Sequence, residues 1–207
     1  MFIKICGMTT NEAVDAAIAA RVDAIGFVFA ESKRQVTPAR AAELAAPARG
    51  RVRCIAVTRH PTQAAIDDIL STFRPDVLQT DAEDFPGLTL PRSLERLPVV
   101  RAGRNEPEPL PPRVLFEGPV SGTGIPADWL AAEGLAQRTE LILAGGLSPV
   151  NVADAITRVR PWGVDVSSGV ESAPGIKSPE QIASFARCAR AAFASLNDSA
   201  RAKETVS

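Results

Sequence analysis

The sequence predicts a single (β/α)8 (TIM) barrel, and three observations carry that expectation. Short apolar runs alternate with amphipathic, alanine-rich segments along most of the chain. The runs are unbroken rather than alternately apolar and polar, as in strands buried on both faces of a parallel sheet. Eight of them fall between residues 2 and 167, which leaves little room for a second domain. A closed barrel is the economical arrangement. An open doubly wound sheet is the rival that alternation alone leaves standing, although no GxGxxG follows the first run.

The first expected strand is 2–6, FIKIC, followed by a helix at 11–20 with Ala13, Ala17 and Ala20 at helical spacing. Strands are expected at 24–29, 52–58, 77–79, 99–101, 114–117, 141–144 and 164–167. Helices are expected at 37–46, 62–73, 128–135, 149–159 and 179–196. Thr37-Pro38, Ser148-Pro149 and Ser178-Pro179 each set a capping hydroxyl before a proline at the first helical position. Residues 102–112, AGRNEPEPLPP, hold too many prolines for a helix. A loop is therefore expected in place of the fifth barrel helix. Residues 197–207 are polar and lack an apolar stripe, so the barrel domain is expected over 1–196 with a flexible C-terminal tail.

Composition narrows the function. The chain has 207 residues, 45% hydrophobic and 23% charged, with a formal net charge of −1. That charge argues against a broad electrostatic grip on nucleic acid or anionic membranes, but leaves room for a local basic pocket for one phosphate. Three cysteines (Cys6, Cys54, Cys188), one histidine (His60) and no CxxC argue against a disulfide framework or a structural zinc site. No metal or cofactor is expected. Reduced thiols, an N-terminus without signal-peptide features and no membrane-length apolar run fit a cytoplasmic protein. Monomer and homodimer are both compatible with the surface pattern.

In a barrel, chemistry sits at the C-terminal ends of the strands. Gly145 and Gly146 after strand seven, and Ser168 and Gly169 after strand eight, let backbone approach a ligand. With a short helix after Gly169 they would bind phosphate, or else they serve only as tight turns. Cys6 ends strand one and is either a packed thiol or a reactive one. Glu117 closes the apolar run VLFE; partial desolvation would raise its pKa, as a general acid needs, and a rim ion pair is its plainer role. Arg34, after strand two, offers a planar fork to a substrate carboxylate, or is a solvated loop arginine. His60, in a polar His-Pro turn, is expected at the surface.

Several segments together resemble the phosphoribosylanthranilate isomerase family. They are Lys4-Ile5-Cys6-Gly7-Met8-Thr9, AIGFVF at 24–29 with SKRQV at 32–36, LILAGGLSPVN at 141–151 and GVDVSSGVESAPG at 163–175. The matches run in order from residue 3 to about 187. The resemblance implies a cofactor-free Amadori rearrangement in L-tryptophan biosynthesis. N-(5′-phosphoribosyl)anthranilate would become 1-(2-carboxyphenylamino)-1-deoxyribulose 5-phosphate. It implies Cys6 as general base, with its pKa lowered by the local field. Glu117 would be the general acid, and Arg34 would hold the anthranilate carboxylate. Asp165 would lie near the ribose hydroxyls, and Gly146, Ser168 and Gly169 would hold the phosphate. The chain departs from the family at three places. Glu117 stands where aspartate is usual, Asp81 in QTDA where histidine is usual, and Ile125 in SGTGIPADW where lysine is usual. Asp81 is thus a second candidate acid. Two rival readings are a related aminoaldose isomerase of histidine biosynthesis and a non-catalytic phosphate-binding barrel.

Overall fold

A computed structural model describes residues 1–104, 106–118 and 128–204, with side chains to Asp198. Eight parallel strands close into one barrel: β1 (Phe2–Cys6), β2 (Ala24–Val28), β3 (Arg53–Val57), β4 (Val77–Asp81), β5 (Glu95–Arg101), β6 (Arg113–Glu117), β7 (Glu140–Leu143) and β8 (Gly163–Val166). β1 pairs with both β2 and β8, which closes the ring and removes the open-sheet alternative.

The helices are α1 (Asn11–Ala19), α2 (Pro38–Ala45), α3 (Gln63–Thr72), α4 (Trp129–Ala136), α5 (Val152–Val159) and α6 (Pro179–Glu204). Threonine hydroxyls of Thr10, Thr37 and Thr62 accept the first free backbone N–H groups of α1, α2 and α3. Asp128 does the same for α4. After β4 a 3-10 segment, Ala82–Gly87, follows instead of an α-helix. The described residues of 102–112 contain no helix, in agreement with the proline-rich loop expected there.

The core has two parts. Phe2, Ile55, Val77, Leu97, Val99, Leu115 and Ile142 pack together in one cluster, a set that alternation along the strands turns to the barrel interior. A larger shell of residues such as Phe27, Leu44, Ile66, Phe73, Ile156, Ile182 and Phe185 seals helices onto the strands.

Three expectations are corrected. α5 begins at Val152, not at Pro149, because Ser148 does not cap it. Instead Asn151 accepts the Ser148 N–H and donates to the Gly146 carbonyl, which folds the preceding loop into a turn. α6 continues to Glu204, beyond the helix end expected at 196. No helix follows Gly169: Ser168–Val170 forms one 3-10 turn, and the chain then pairs as a hairpin, β9 (Glu171–Ala173) with β10 (Ile176–Lys177).

Candidate active site

Strand register brings the chemistry together at the C-terminal end of the barrel. Lys4 and Asp165 are register partners on β1 and β8, and their side chains meet at 2.9 Å. The two groups form a buried ion pair. Two residues on, Cys6 lies opposite Gly26 of β2. A Cβ on Gly26 would stand 3.1 Å from the Cys6 Sγ and 3.3 Å from the Lys4 Cε, so glycine leaves space for both groups.

Cys6 is buried, and burial is the largest influence on its thiol, pushing the pKa up. Lys4 and Lys177 pull it down and Asp165 pushes it up, and the net direction is a raised pKa. This corrects the expectation of a lowered one: desolvation of the thiolate outweighs the two cations. Lys4 keeps its charge. Burial lowers its pKa, but Asp165 and Cys6 raise it further. Asp165 is itself pushed up by burial against the pull of Lys4 and Lys177. Of this pair the lysine charge is the firmer, because two acidic groups face it.

On the opposite wall, Arg101 of β5 donates to Glu117, its register neighbour on β6, at 2.5 Å. Its other arm donates to Asp81 at the end of β4 at 2.6 Å. One guanidinium therefore serves both candidate acids. Burial lowers the Arg101 pKa, but Asp81 and Glu117 overcome it and keep the arginine charged. His60, half-exposed as expected of its turn, is not isolated: its Nδ1 meets Asp84 at 2.9 Å and its Nε2 meets Asp81 at 3.5 Å.

Arg34 reaches inward from the loop after β2. Its Nε and Nη2 donate to the two carboxylate oxygens of Glu171 at 2.6 and 3.0 Å. Lys177 Nζ and the Gly175 N–H also donate to Glu171, at 2.8 and 3.1 Å. Burial alone would raise the Glu171 carboxyl, but these donors bring it down to about 2. Lys177 also donates to the Ser167 carbonyl at 2.9 Å, which anchors the hairpin beneath the site.

The turns after β7 and β8 complete the mouth. Gly145 and Gly146 have φ of 90° and 66°, a left-handed path that glycine adopts without strain. At Gly169 a Cβ would stand 1.9 Å from the Leu147 carbonyl oxygen, so only glycine lets the two turns lie against each other. A cavity of about 750 Å3 opens here. Cys6, Arg34, Glu117, Gly145, Gly146, Asp165 and Ser168 all line it. Gly169 and Asp81 are not among its lining residues; Gly169 supports the turn from behind. Residues 119–127, including Ile125, lie outside the described residues.

A larger hollow of about 1180 Å3 lies at the other end of the barrel, among Phe2, Arg53, Arg113 and Trp162. None of the sequence-derived site residues reaches it. The N-terminal end of a barrel serves stability, so volume alone does not mark the active end.

Sequence reasoning missed Lys4, Glu171 and Lys177 as site residues. Lys4 carried a usable signal, since it lies two residues before Cys6 on one strand and so shares its face. Glu171 and Lys177 carried none, because their partners are set by the hairpin fold.

Residues 3–187 match the protein family described as N-(5'phosphoribosyl)anthranilate (PRA) isomerase. The chain is 41% identical over 213 residues to the N-(5'-phosphoribosyl)anthranilate isomerase of Roseiflexus castenholzii, covering 93% of this chain and 99% of the relative. The isomerase of Mesorhizobium japonicum is 37% identical over 209 residues, covering 92% and 95%. Among solved structures, TrpF from Jonesia denitrificans superposes with a TM-score of 0.78 at 37% identity, covering 93% of this chain and 98% of that one. A phosphoribosyl anthranilate isomerase solved with reduced 1-(o-carboxyphenylamino)-1-deoxyribulose 5-phosphate gives 0.75 at 27% identity, covering 92% and 99%.

Proposed function

We propose, from the premise that this chain belongs to the N-(5′-phosphoribosyl)anthranilate isomerase family, how its residues divide that reaction among them. The chain is an isomerase of L-tryptophan biosynthesis. It converts N-(5′-phosphoribosyl)anthranilate to 1-(2-carboxyphenylamino)-1-deoxyribulose 5-phosphate by Amadori rearrangement. Membership in this family sets aside the histidine-pathway and non-catalytic readings.

Glu117 protonates the furanose ring oxygen, and the bond from that oxygen to C1′ breaks to leave a Schiff base at C1′. Cys6, as thiolate, removes the C2′ proton to give an enolamine. The enolamine gains a proton at C1′ and loses one from the C2′ hydroxyl, giving the ketone, so atoms balance without a redox partner. Lys4 is the countercharge to the thiolate, which burial disfavours. Gly145, Gly146 and Ser168 receive the phosphate, with Gly169 fixing their turn. Arg34 takes the anthranilate carboxylate, using donors left beside the Glu171 bond or exchanging that bond for it. Asp165 accepts from the ribose hydroxyls.

The observation that carries this reading is that Cys6 and Glu117 line one cavity with the glycine turns and Arg34. It also ranks the two acids, since Glu117 lines the cavity and Asp81 does not. In this scheme Glu117 shares the Arg101 guanidinium with Asp81. A cytoplasmic location fits the role in amino-acid synthesis. Sedimentation velocity separates the monomer from the homodimer.

Two experiments test the scheme. Well-expressed protein restores growth of a tryptophan auxotroph that lacks this isomerase, and failure to do so refutes the assignment. Glu117→Gln lowers kcat by about 10²–10⁴-fold, whereas Asp81→Asn lowers it less. The reverse ranking makes Asp81 the acid.

A further inference from the structure

Outside the reaction cavity, three potential ligands converge where β4 meets the loop after β3. They are a His60 ring nitrogen, an Asp81 carboxylate oxygen and a Glu83 carboxylate oxygen, all within 4.8 Å of one another. Proximity of acidic groups is common at surfaces and carries little alone. Two further observations give this group a direction.

The first is how His60 is held. Its backbone has φ of 46°, a left-handed conformation that a non-glycine residue rarely adopts. Asp84 holds it there. One Asp84 oxygen accepts the His60 backbone N–H at 3.0 Å, and the other faces Nδ1 at 2.9 Å. Thr80 donates to Asp84 at 2.5 Å and fixes the carboxylate in turn. Nε2, the other ring nitrogen, is turned toward Asp81. A carboxylate behind the distal ring nitrogen is the usual support of a metal-bound histidine.

The second is what Nε2 faces. Asp81 is 4% exposed, and its Oδ2 accepts no hydrogen bond among the described residues. That oxygen lies 3.5 Å from Nε2, a gap that one ion can bridge. Arg59 Nε reaches only to 4.0 Å of it. Two ligands about 2.1 Å from a tetrahedral zinc ion lie about 3.4 Å apart. The observed separation matches that spacing. Glu83 completes a one-imidazole, two-carboxylate set, and water can fill the fourth position.

We propose that His60, Asp81 and Glu83 form a binding site for a divalent transition-metal ion of the zinc class, with Asp84 as the residue that orients His60. The mixed nitrogen and oxygen donors favour zinc over calcium or magnesium, which prefer all-oxygen shells. Three cations oppose tight binding: Arg59, Arg101 on the other Asp81 oxygen, and Arg104, which donates to Glu83 at 3.0 Å. The site is thus one for reversible loading rather than a permanent structural ion.

Isothermal titration of tag-free, full-length protein with zinc chloride, and the visible spectrum after cobalt(II) addition, test the proposal. One zinc equivalent binds to the wild type. His60→Ala weakens that affinity at least about tenfold, and Asp84→Asn weakens it about 10–100-fold. Cobalt gives a tetrahedral absorption band in the wild type that His60→Ala abolishes. Circular dichroism confirms that both variants remain folded. Equal zinc binding by wild type and His60→Ala places the metal on the cysteines and overturns the site. So does no binding by the wild type at millimolar zinc.

Discussion

At the scale of single residues, the site is a contest between burial and countercharge. In the proposed role Cys6 must lose a proton, yet burial raises its pKa against the pull of Lys4 and Lys177. Lys4→Met therefore raises the thiol pKa further and lowers kcat. The rate of iodoacetamide alkylation against pH reads the first effect separately from turnover, and an unchanged profile would remove Lys4 from the mechanism. Glu171 shows the opposite balance. Its carboxyl falls from an ordinary 4.5 to about 2. A depressed carboxyl contributes stability above its unfolded pKa, and that contribution is lost as pH falls from about 4.5 toward about 2. Glu171→Gln flattens this limb when urea midpoints are measured across that window. The same substitution frees the Arg34 fork from the carboxylate it pairs with among the described residues, so KM shifts more than kcat.

At the scale of elements, the active end is built by turns that hold one another. The Asn151 side chain ties Ser148 to Gly146, and the Leu147 carbonyl lies where a Gly169 side chain would be. Gly169→Ala must push backbone against backbone, at a cost of about 1–3 kcal/mol. It also spreads the two turns proposed to receive the phosphate. The expected result is a lower urea midpoint together with weaker competitive inhibition by inorganic phosphate. A variant with normal stability and normal phosphate inhibition would show that the turns can separate freely. The start of α2 was legible because Thr37 caps it directly before Pro38, whereas the caps Thr10 and Thr62 were not singled out in the sequence. Ser148-Pro149 carried the same pattern, but Asn151 competes for the local donors and delays α5 to Val152.

At the scale of the whole molecule, the barrel was legible because each strand is buried on both faces and so reads as an apolar run. β5 was the partial exception. It begins at Glu95, but its first residues are charged and include Pro98, so only its last part stood out. The cavity wall was legible where strand ends carried it, since Cys6 and Glu117 both line it. The support behind it was not, because Arg34 and Glu171 lie 137 residues apart and meet only through the fold. The two barrel ends divide stability from chemistry. At the N-terminal end Arg113 stacks over Trp162 at 3.9 Å and bonds Glu95 and Glu140. Arg113→Ala lowers stability by about 1 kcal/mol and leaves kcat unchanged, as urea unfolding and steady-state assays will read.

The central claim is that Cys6 takes the C2′ proton in the cavity it shares with Glu117. The most direct test is kcat of purified Cys6→Ala with N-(5′-phosphoribosyl)anthranilate, with phosphate inhibition measured on the same protein. The expected result is a fall of about 10²–10⁴-fold with phosphate inhibition intact. Near-normal turnover would contradict the account and place the base elsewhere.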